Sequence, residues 1–198
     1  IIDNDVGGSN NNSNENNTLN GYQVTFQTYG DNFANQLPKR TQLSGGSNNS
    51  GSVEKMKKFF TSGLMYDDVL SNLSFSGYVQ SLDAFEGVVH LCLGSSSQSG
   101  MMTWTSTRKI LKVEATVINY YKTYTTYVEN QPVEGLTSDN MAHFQIDDTD
   151  YSLELTESLV PEEKTFSKTF GNEGTNSFSF SSADGRVLID FITITWKI

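Results

Sequence analysis

Three groups of residues in this chain have types and spacings that could do chemistry. The first is aromatic. Tyr120, Tyr121, Tyr124 and Tyr127 are interleaved with Thr123, Thr125 and Thr126. Exposed rings stack on the CH faces of sugars, and polar neighbours hydrogen-bond the sugar hydroxyls. On a regular strand Tyr124 faces opposite Tyr121 and Tyr127, so one set points outward. Trp104 lies in a Thr-rich stretch and is a further candidate. The expected glycan contacts are therefore Trp104, Tyr121, Tyr124 and Tyr127. The competing reading packs each of these rings in a core.

The second group is acidic. Asp147-Asp148-Thr149-Asp150 sets three carboxylates within four residues, where they repel unless a cation or solvent relieves them. Calcium takes oxygen ligands of this kind. A structural calcium at Asp147, Asp148 and Asp150 is one expectation; a solvated acidic turn is the other. The third group is His90 and His143, which could be drawn into a triad with one of many serines. No GxSxG elbow supports that, and His90 within VVHLCL reads as a packed strand residue. Carboxylate pairs such as Asp83 with Glu86 arise by chance among 23 acidic residues, and a glycosidase needs two at a defined separation. The chain is read as a non-enzyme with no cofactor.

The elements that must position these residues are strands. Leu111, Val113, Ala115 and Val117 alternate with Lys112, Glu114 and Thr116, the pattern of a strand with one face buried and one wet. Strands are also predicted over Tyr22–Tyr29, Val69–Phe75, Gly87–Leu93, Met101–Thr105, Lys109–Asn119, Thr123–Glu129 and Ala142–Ile146. Tyr151–Thr156, Thr165–Phe170, Ser177–Ser181 and Arg186–Ile198 complete the set. Turn signals recur at roughly ten-residue spacing, as in a sandwich or barrel. The last strand is apolar on both sides, which suits a central strand or a bulge near Asp190. Asp184-Gly185 before it reads as a tight hairpin turn. Val53–Leu64 holds one short helix, near residues 53–61, with Ser52 as its cap. Gly30–Gly51 reads as a long surface loop.

Residues 1–20 are an Asn/Ser/Gly tract with little to bury, expected to be a disordered tether. Asp3, Asp5 and Glu15 miss the EF-hand spacing, since Gly7 and Asn14 stand where ligands are needed. Residues 21–198 are expected to form a single β-sandwich domain. Cys92 has no partner cysteine and sits in an apolar run, so it reads as a small buried hydrophobe. The net charge of −10 argues against nucleic acid and against an anionic membrane surface. No apolar run reaches the length of a membrane helix. The abrupt start at Ile1 suggests a removed leader or tether, and the Asn/Ser/Gly tract suits a surface-tethered lipoprotein or a linker between domains of a longer protein. The expectation is an extracellular or surface protein, lipid-tethered through that leader, and separately a monomer.

The segment Leu93 to Tyr121 carries a family resemblance. It has an apolar strand ending in Leu93-Gly94-Ser95-Ser96-Ser97, then Ser99-Gly100, a Thr-rich strand and the alternating run Lys109 to Val117. Tyr127-Val128-Glu129-Asn130 and the terminal Gly185-Arg186-Val187 to Trp196 complete the pattern. Together they resemble a β-sandwich domain of secreted and cell-surface proteins of gut Firmicutes, Bacteroidetes and mollicutes, often appended to extracellular nucleases. The resemblance implies a jelly-roll or galactose-binding-like, antiparallel two-sheet all-β fold. The ligand of such domains is usually unassigned. The aromatic group above makes a carbohydrate-binding-like module the first expectation, with a structural or protein-interaction domain of a larger surface protein, such as a secreted nuclease, as the alternative. The resemblance brings no functional residues. Where the family has Val-Asn-Gly, this chain has Val128-Glu129-Asn130-Gln131.

Overall fold

The computed structural model describes residues 21–38, 41–44, 50–62, 64, 70–84, 87–138, 141–154 and 163–198. The expected tether, residues 1–20, lies outside them. The fold is an all-β, antiparallel sandwich with two short helices among the described residues. In chain order the elements are β1 (Gly21–Gln27), α1 (Gly30–Gln36), β2 (Gln42–Ser44), α2 (Ser50–Ser62), β3 (Leu70–Gly77), β4 (Val79–Ala84) and β5 (Val88–Leu93). Then come β6 (Gly100–Asn119), β7 (Tyr121–Val128), β8 (Gln131–Ser138), β9 (Met141–Ile146), β10 (Thr149–Glu154), β11 (Lys164–Thr169), β12 (Thr175–Asp184) and β13 (Val187–Lys197).

The architecture turns on β6. Its first half pairs with β3 on one side and β12 on the other, and β12 continues through β9 to β10. Its second half pairs with β13 and β11. β13 in turn carries β5 and β1, and β5 carries β4 and β2. One continuous strand thus runs through both layers. The strands predicted at Met101–Thr105 and Lys109–Asn119 are therefore a single element. The polar interruption between them is a bend: Ser177 pairs with Thr105 but Thr175 already pairs with Ile110.

The main core fills the space between the layers. Val113, Ala115 and Val117 face it from β6, as the alternation requires, while Lys112 and Glu114 form an ion pair at 2.8 Å on the wet face. The last strand contains the bulge expected near Asp190. Ile189 pairs with Val117 and Phe191 with Thr116, so Asp190 is the extra residue. The bulge reverses the parity of the strand. Val187 and Ile189 before it and Ile192, Ile194 and Trp196 after it all reach the main core, while Leu188 joins Cys92 and Ile118 in a smaller cluster on the other face.

Four expectations need correction. Gly30–Gly51 is not all loop: α1 is anchored by buried Phe33, and β2 pairs with β4. β4 itself went unpredicted because it buries Gln80 and Ser81 rather than alternating. α2 begins at Ser50, so Ser52 lies in its first turn and not at its cap; Met56 and Phe60 are its buried face. Asp184-Gly185 is not a hairpin turn between partners, because β12 and β13 pair with successive halves of β6. Among the described residues no helix is long and apolar enough to cross a membrane.

Candidate functional site: a hydroxyl-lined cleft and a self-paired ribbon

The sequence-predicted site residues fall in three separate places. Trp104 is in the core, a correction to its reading as a sugar platform. Its neighbours on β6 alternate out and in, and Met102 and Trp104 take the inner positions with no exposure. The indole lies 5.1 Å from the Phe60 ring and 5.7 Å from Phe26, and stacks on Phe178 at 6.1 Å. A side chain enclosed on all sides by aromatics cannot meet a sugar.

Tyr121, Tyr124 and Tyr127 lie on β7, which pairs only with β8 among the described strands. The register sets Tyr121 against Ser138, Tyr124 against Gly135 and Tyr127 against Pro132. The turn is Glu129-Asn130, both at positive φ (49° and 61°). That backbone suits a two-residue hairpin and is unfavourable for a glutamate. Tyr127 is 71% exposed, and Val128 and Val133 beside it are exposed too. The side chains of Tyr121 and Tyr124 lie outside the described residues. β8 went unpredicted because Pro132 and Gly135 read as breakers; a strand on a two-stranded ribbon tolerates both.

The aspartates of the calcium expectation are each engaged by side chains or backbone of the chain itself. Asp147 Oδ2 and Asp148 Oδ1 both take the Lys168 ammonium, at 3.1 and 2.8 Å. Asp147 Oδ1 accepts a bond from the Ser179 amide at 2.8 Å, and Asp150 Oδ2 meets His143 Nδ1 at 2.8 Å. The hydrogen bond from Lys168 holds the Asp148 carboxyl below the usual range. A lysine stands where the cation was expected, and among the described residues no group of three or more acidic, histidine or cysteine side chains could hold a metal. Lys168 is twenty positions from the cluster, so the aspartate spacing alone could not reveal it.

The histidines each face an aspartate: His143 Nδ1 lies 2.8 Å from Asp150 Oδ2. His90 is buried, with Nε2 at 3.3 Å from Asp190 Oδ1. The Asp83 and Glu86 side chains lie outside the described residues.

The site that sequence reasoning missed is a cleft of about 340 Å³ at the start of β6. Ser76 from β3, Met101 from β6, Ser181 from β12 and Gln145 from β9 form a row across four strands, since Ser76 and Ser181 both register with Met101 and Ser181 registers with Gln145. Ser181 Oγ is 3.1 Å from Gln145 Oε1. Ser99 closes one end. Among the described residues, every polar side chain lining the cleft is neutral, a hydroxyl or a carboxamide. Met101, 38% exposed, is the apolar element.

The motif residues of the Leu93–Gly100 loop build the end of this cleft. Gly94 N donates to Tyr78 O at 2.7 Å, Tyr78 N to Ser99 O at 2.8 Å, and Ser95 N to Gln98 O at 2.8 Å. Gly94 has φ +84°, and a Cβ there would strike Ser182 Oγ and the Gly185 carbonyl. A Cβ on Gly100 would strike the Tyr78 carbonyl. Only glycine permits backbones this close. The small residues of the loop thus serve close backbone packing beside a polar surface.

No family model and no curated protein matches the chain. Among solved structures it is similar to the Clostridium thermocellum N-terminal endo-1,4-β-D-xylanase 10B, CBM22-1–GH10 modules complexed with xylohexaose. The identity is 12% and the TM-score 0.31, with 66% of this chain and 27% of that chain covered. The chain thus spans about a quarter of that structure's length, and the likeness is too slight to assign a role.

Proposed function

We propose that this domain is a non-catalytic, extracellular binding module that takes a neutral, hydroxyl-rich ligand, a glycan, in the cleft at the start of β6. The observation that supports this reading is the lining itself: Ser76, Ser99, Ser181 and Gln145 around an exposed Met101, with no charged side chain among the described residues. Hydroxyls and a carboxamide both donate and accept, as sugar hydroxyls do, and a thioether offers an apolar contact for CH groups. An anionic ligand has no cation to meet there among the described residues, and the chain's charge of −10 repels it. The platform is rigid, because it sits on four paired strands.

The test is calorimetric titration with soluble neutral oligosaccharides. Replacing Ser181 by Val is expected to weaken binding about three- to tenfold, the worth of one neutral hydrogen bond. Tyr127→Ala is expected to leave affinity unchanged. A panel that gives no binding, or binding indifferent to Ser181 and Met101, would sink the reading.

A second reading, a protein-interaction domain of a larger surface protein, is favoured by the ribbon. Tyr127, Val128 and Val133 are exposed on a pair of strands with no further partner among the described strands. Apolar exposure at such a place suits contact with another protein. Under this reading Tyr127→Ala abolishes a protein contact and the cleft variants change nothing.

A further inference from the structure

The cleft at the start of β6 is one end of a longer polar surface. The outer face of β3, β6 and β12 is set out in cross-strand rows. Ser76, Met101 and Ser181 form the row in the cleft. Ser74, Thr103 and Ser179 are in register behind it, and Asn72, Thr105 and Ser177 behind those. Directly paired residues share a face of the sheet. The residues between them, Met102 and Trp104 on β6 and Phe178 and Phe180 on β12, are buried in the core, so the rows face outward. None of these row residues is charged. The rows stop where β6 bends. There Asn176 Nδ2 donates to the Ser106 carbonyl at 2.9 Å, and the pairing of β12 jumps from Thr105 to Ile110.

The outer face of the other layer has threonines too, but they satisfy each other. Thr25 Oγ1 lies 2.8 Å from Thr193 Oγ1, Thr116 Oγ1 lies 2.8 Å from Thr165 Oγ1, and Lys112 closes on Glu114. On the face of β3, β6 and β12, the hydroxyls of Ser74, Ser76, Thr103 and Thr105 meet no hydrogen-bond partner among the described residues. Ser182, which also lines the cleft, is fully buried, and its Oγ is unpartnered among the described residues.

The rows have a chemical order across the strands as well. The middle column, on β6, is Met101, Thr103 and Thr105, and each of these side chains carries a methyl group. The columns on either side, on β3 and β12, are serines and one asparagine. A sugar ring has the same order, with CH groups on its face and hydroxyls at its edges. The cleft alone, at about 340 Å³, is at the small end of ligand sites. Residues two apart on an antiparallel strand are about 6.8 Å apart, which puts Thr105 about 14 Å from Met101. On the reading of the cleft as a glycan site, on which this inference rests, we propose that the ligand is an extended, unbranched, neutral polysaccharide. Its chain runs from the cleft along β6, with its rings over Met101, Thr103 and Thr105 and its hydroxyl edges against β3 and β12.

The test is a chain-length series: calorimetric titration with cello-, manno- and xylo-oligosaccharides, from monosaccharide to hexasaccharide. In the series that binds, affinity is expected to rise about tenfold between the disaccharide and the longer chains, the worth of one or two added neutral hydrogen bonds, and then to level off. Thr105→Val keeps the β-branched shape that suits a strand, so this variant folds. It is expected to weaken the longer chains about three- to tenfold and to leave the monosaccharide and disaccharide unchanged, whereas Ser181→Val weakens every length. Thr193→Val, on the other outer face, is expected to change nothing. Equal affinity at every length, with Ser181→Val still harmful, would overturn the extended track and leave the cleft as a glycan site. So would a loss in Thr193→Val equal to that in Thr105→Val. An absence of binding at every length would overturn the track and the glycan reading together.

Discussion

The two ends of β6 are built on opposite principles. At its start, β3 and β12 flank it, β9 lies beyond, and glycines bring the Leu93–Gly100 loop within backbone contact. The surface there is neutral, polar and fixed. Just past its end, the chain enters a ribbon in which β7 pairs only with β8 among the described strands and exposes Tyr127, Val128 and Val133. A two-stranded hairpin is marginal by itself. The difference teaches where each kind of ligand fits. A rigid hydroxyl row can hold sugar hydroxyls with little ordering cost, whereas an apolar, self-paired ribbon suits a partner that brings its own surface.

The comparison is sharpened first by the largest perturbation. Trp104→Ala empties the centre of the aromatic core that underlies the cleft and is expected to cost about 3–5 kcal/mol, read from denaturant unfolding. A loss below about 1 kcal/mol would show that the indole is not enclosed as described. Next, Gly94→Ala places a Cβ against Ser182 Oγ and the Gly185 carbonyl at a positive φ. Its expected cost is about 1–3 kcal/mol, with weakened glycan binding through the displaced loop. An unchanged melt would mean that the loop is loose and the cleft not preformed.

Smaller effects discriminate between the ends. Tyr127→Ala is expected to change stability by no more than about 0.5 kcal/mol, while removing any protein contact made by the ribbon. A strongly destabilised variant would show that the ribbon is integral to the fold. Smallest is the response to calcium. With Lys168 between Asp147 and Asp148, a calcium or chelator titration should leave the thermal midpoint where it is. A rise of several degrees with calcium would mean that the aspartates leave Lys168 for the cation.

Much of the strand order was legible because alternation reports burial directly. Leu111, Val113, Ala115 and Val117 are buried as the pattern requires, and the double-sided apolar run of β13 offered a central place or a bulge near Asp190, of which the strand has both. What stayed hidden shares one cause, dependence on residues distant in the chain. β4 buries Gln80 and Ser81, and Ser81 bonds the Pro38 carbonyl. The aspartate cluster is answered by Lys168, and Trp104 faces inward because Phe178 and Phe60 close over it. The cleft is a cross-strand row of ordinary serines, each unremarkable along its own strand.

The sequence alone therefore determined the class: an antiparallel all-β chain, with its main buried faces set by side-chain period and its turns by glycine and asparagine. Tertiary structure decided which polar groups meet. Serines gather at one sheet end, Lys168 meets Asp147 and Asp148, and His90 on β5 meets Asp190 on β13. The physical reason is that apolar burial is non-directional and written in local period. Polar chemistry instead requires particular atoms at hydrogen-bond distance, and only strand pairing and register supply that.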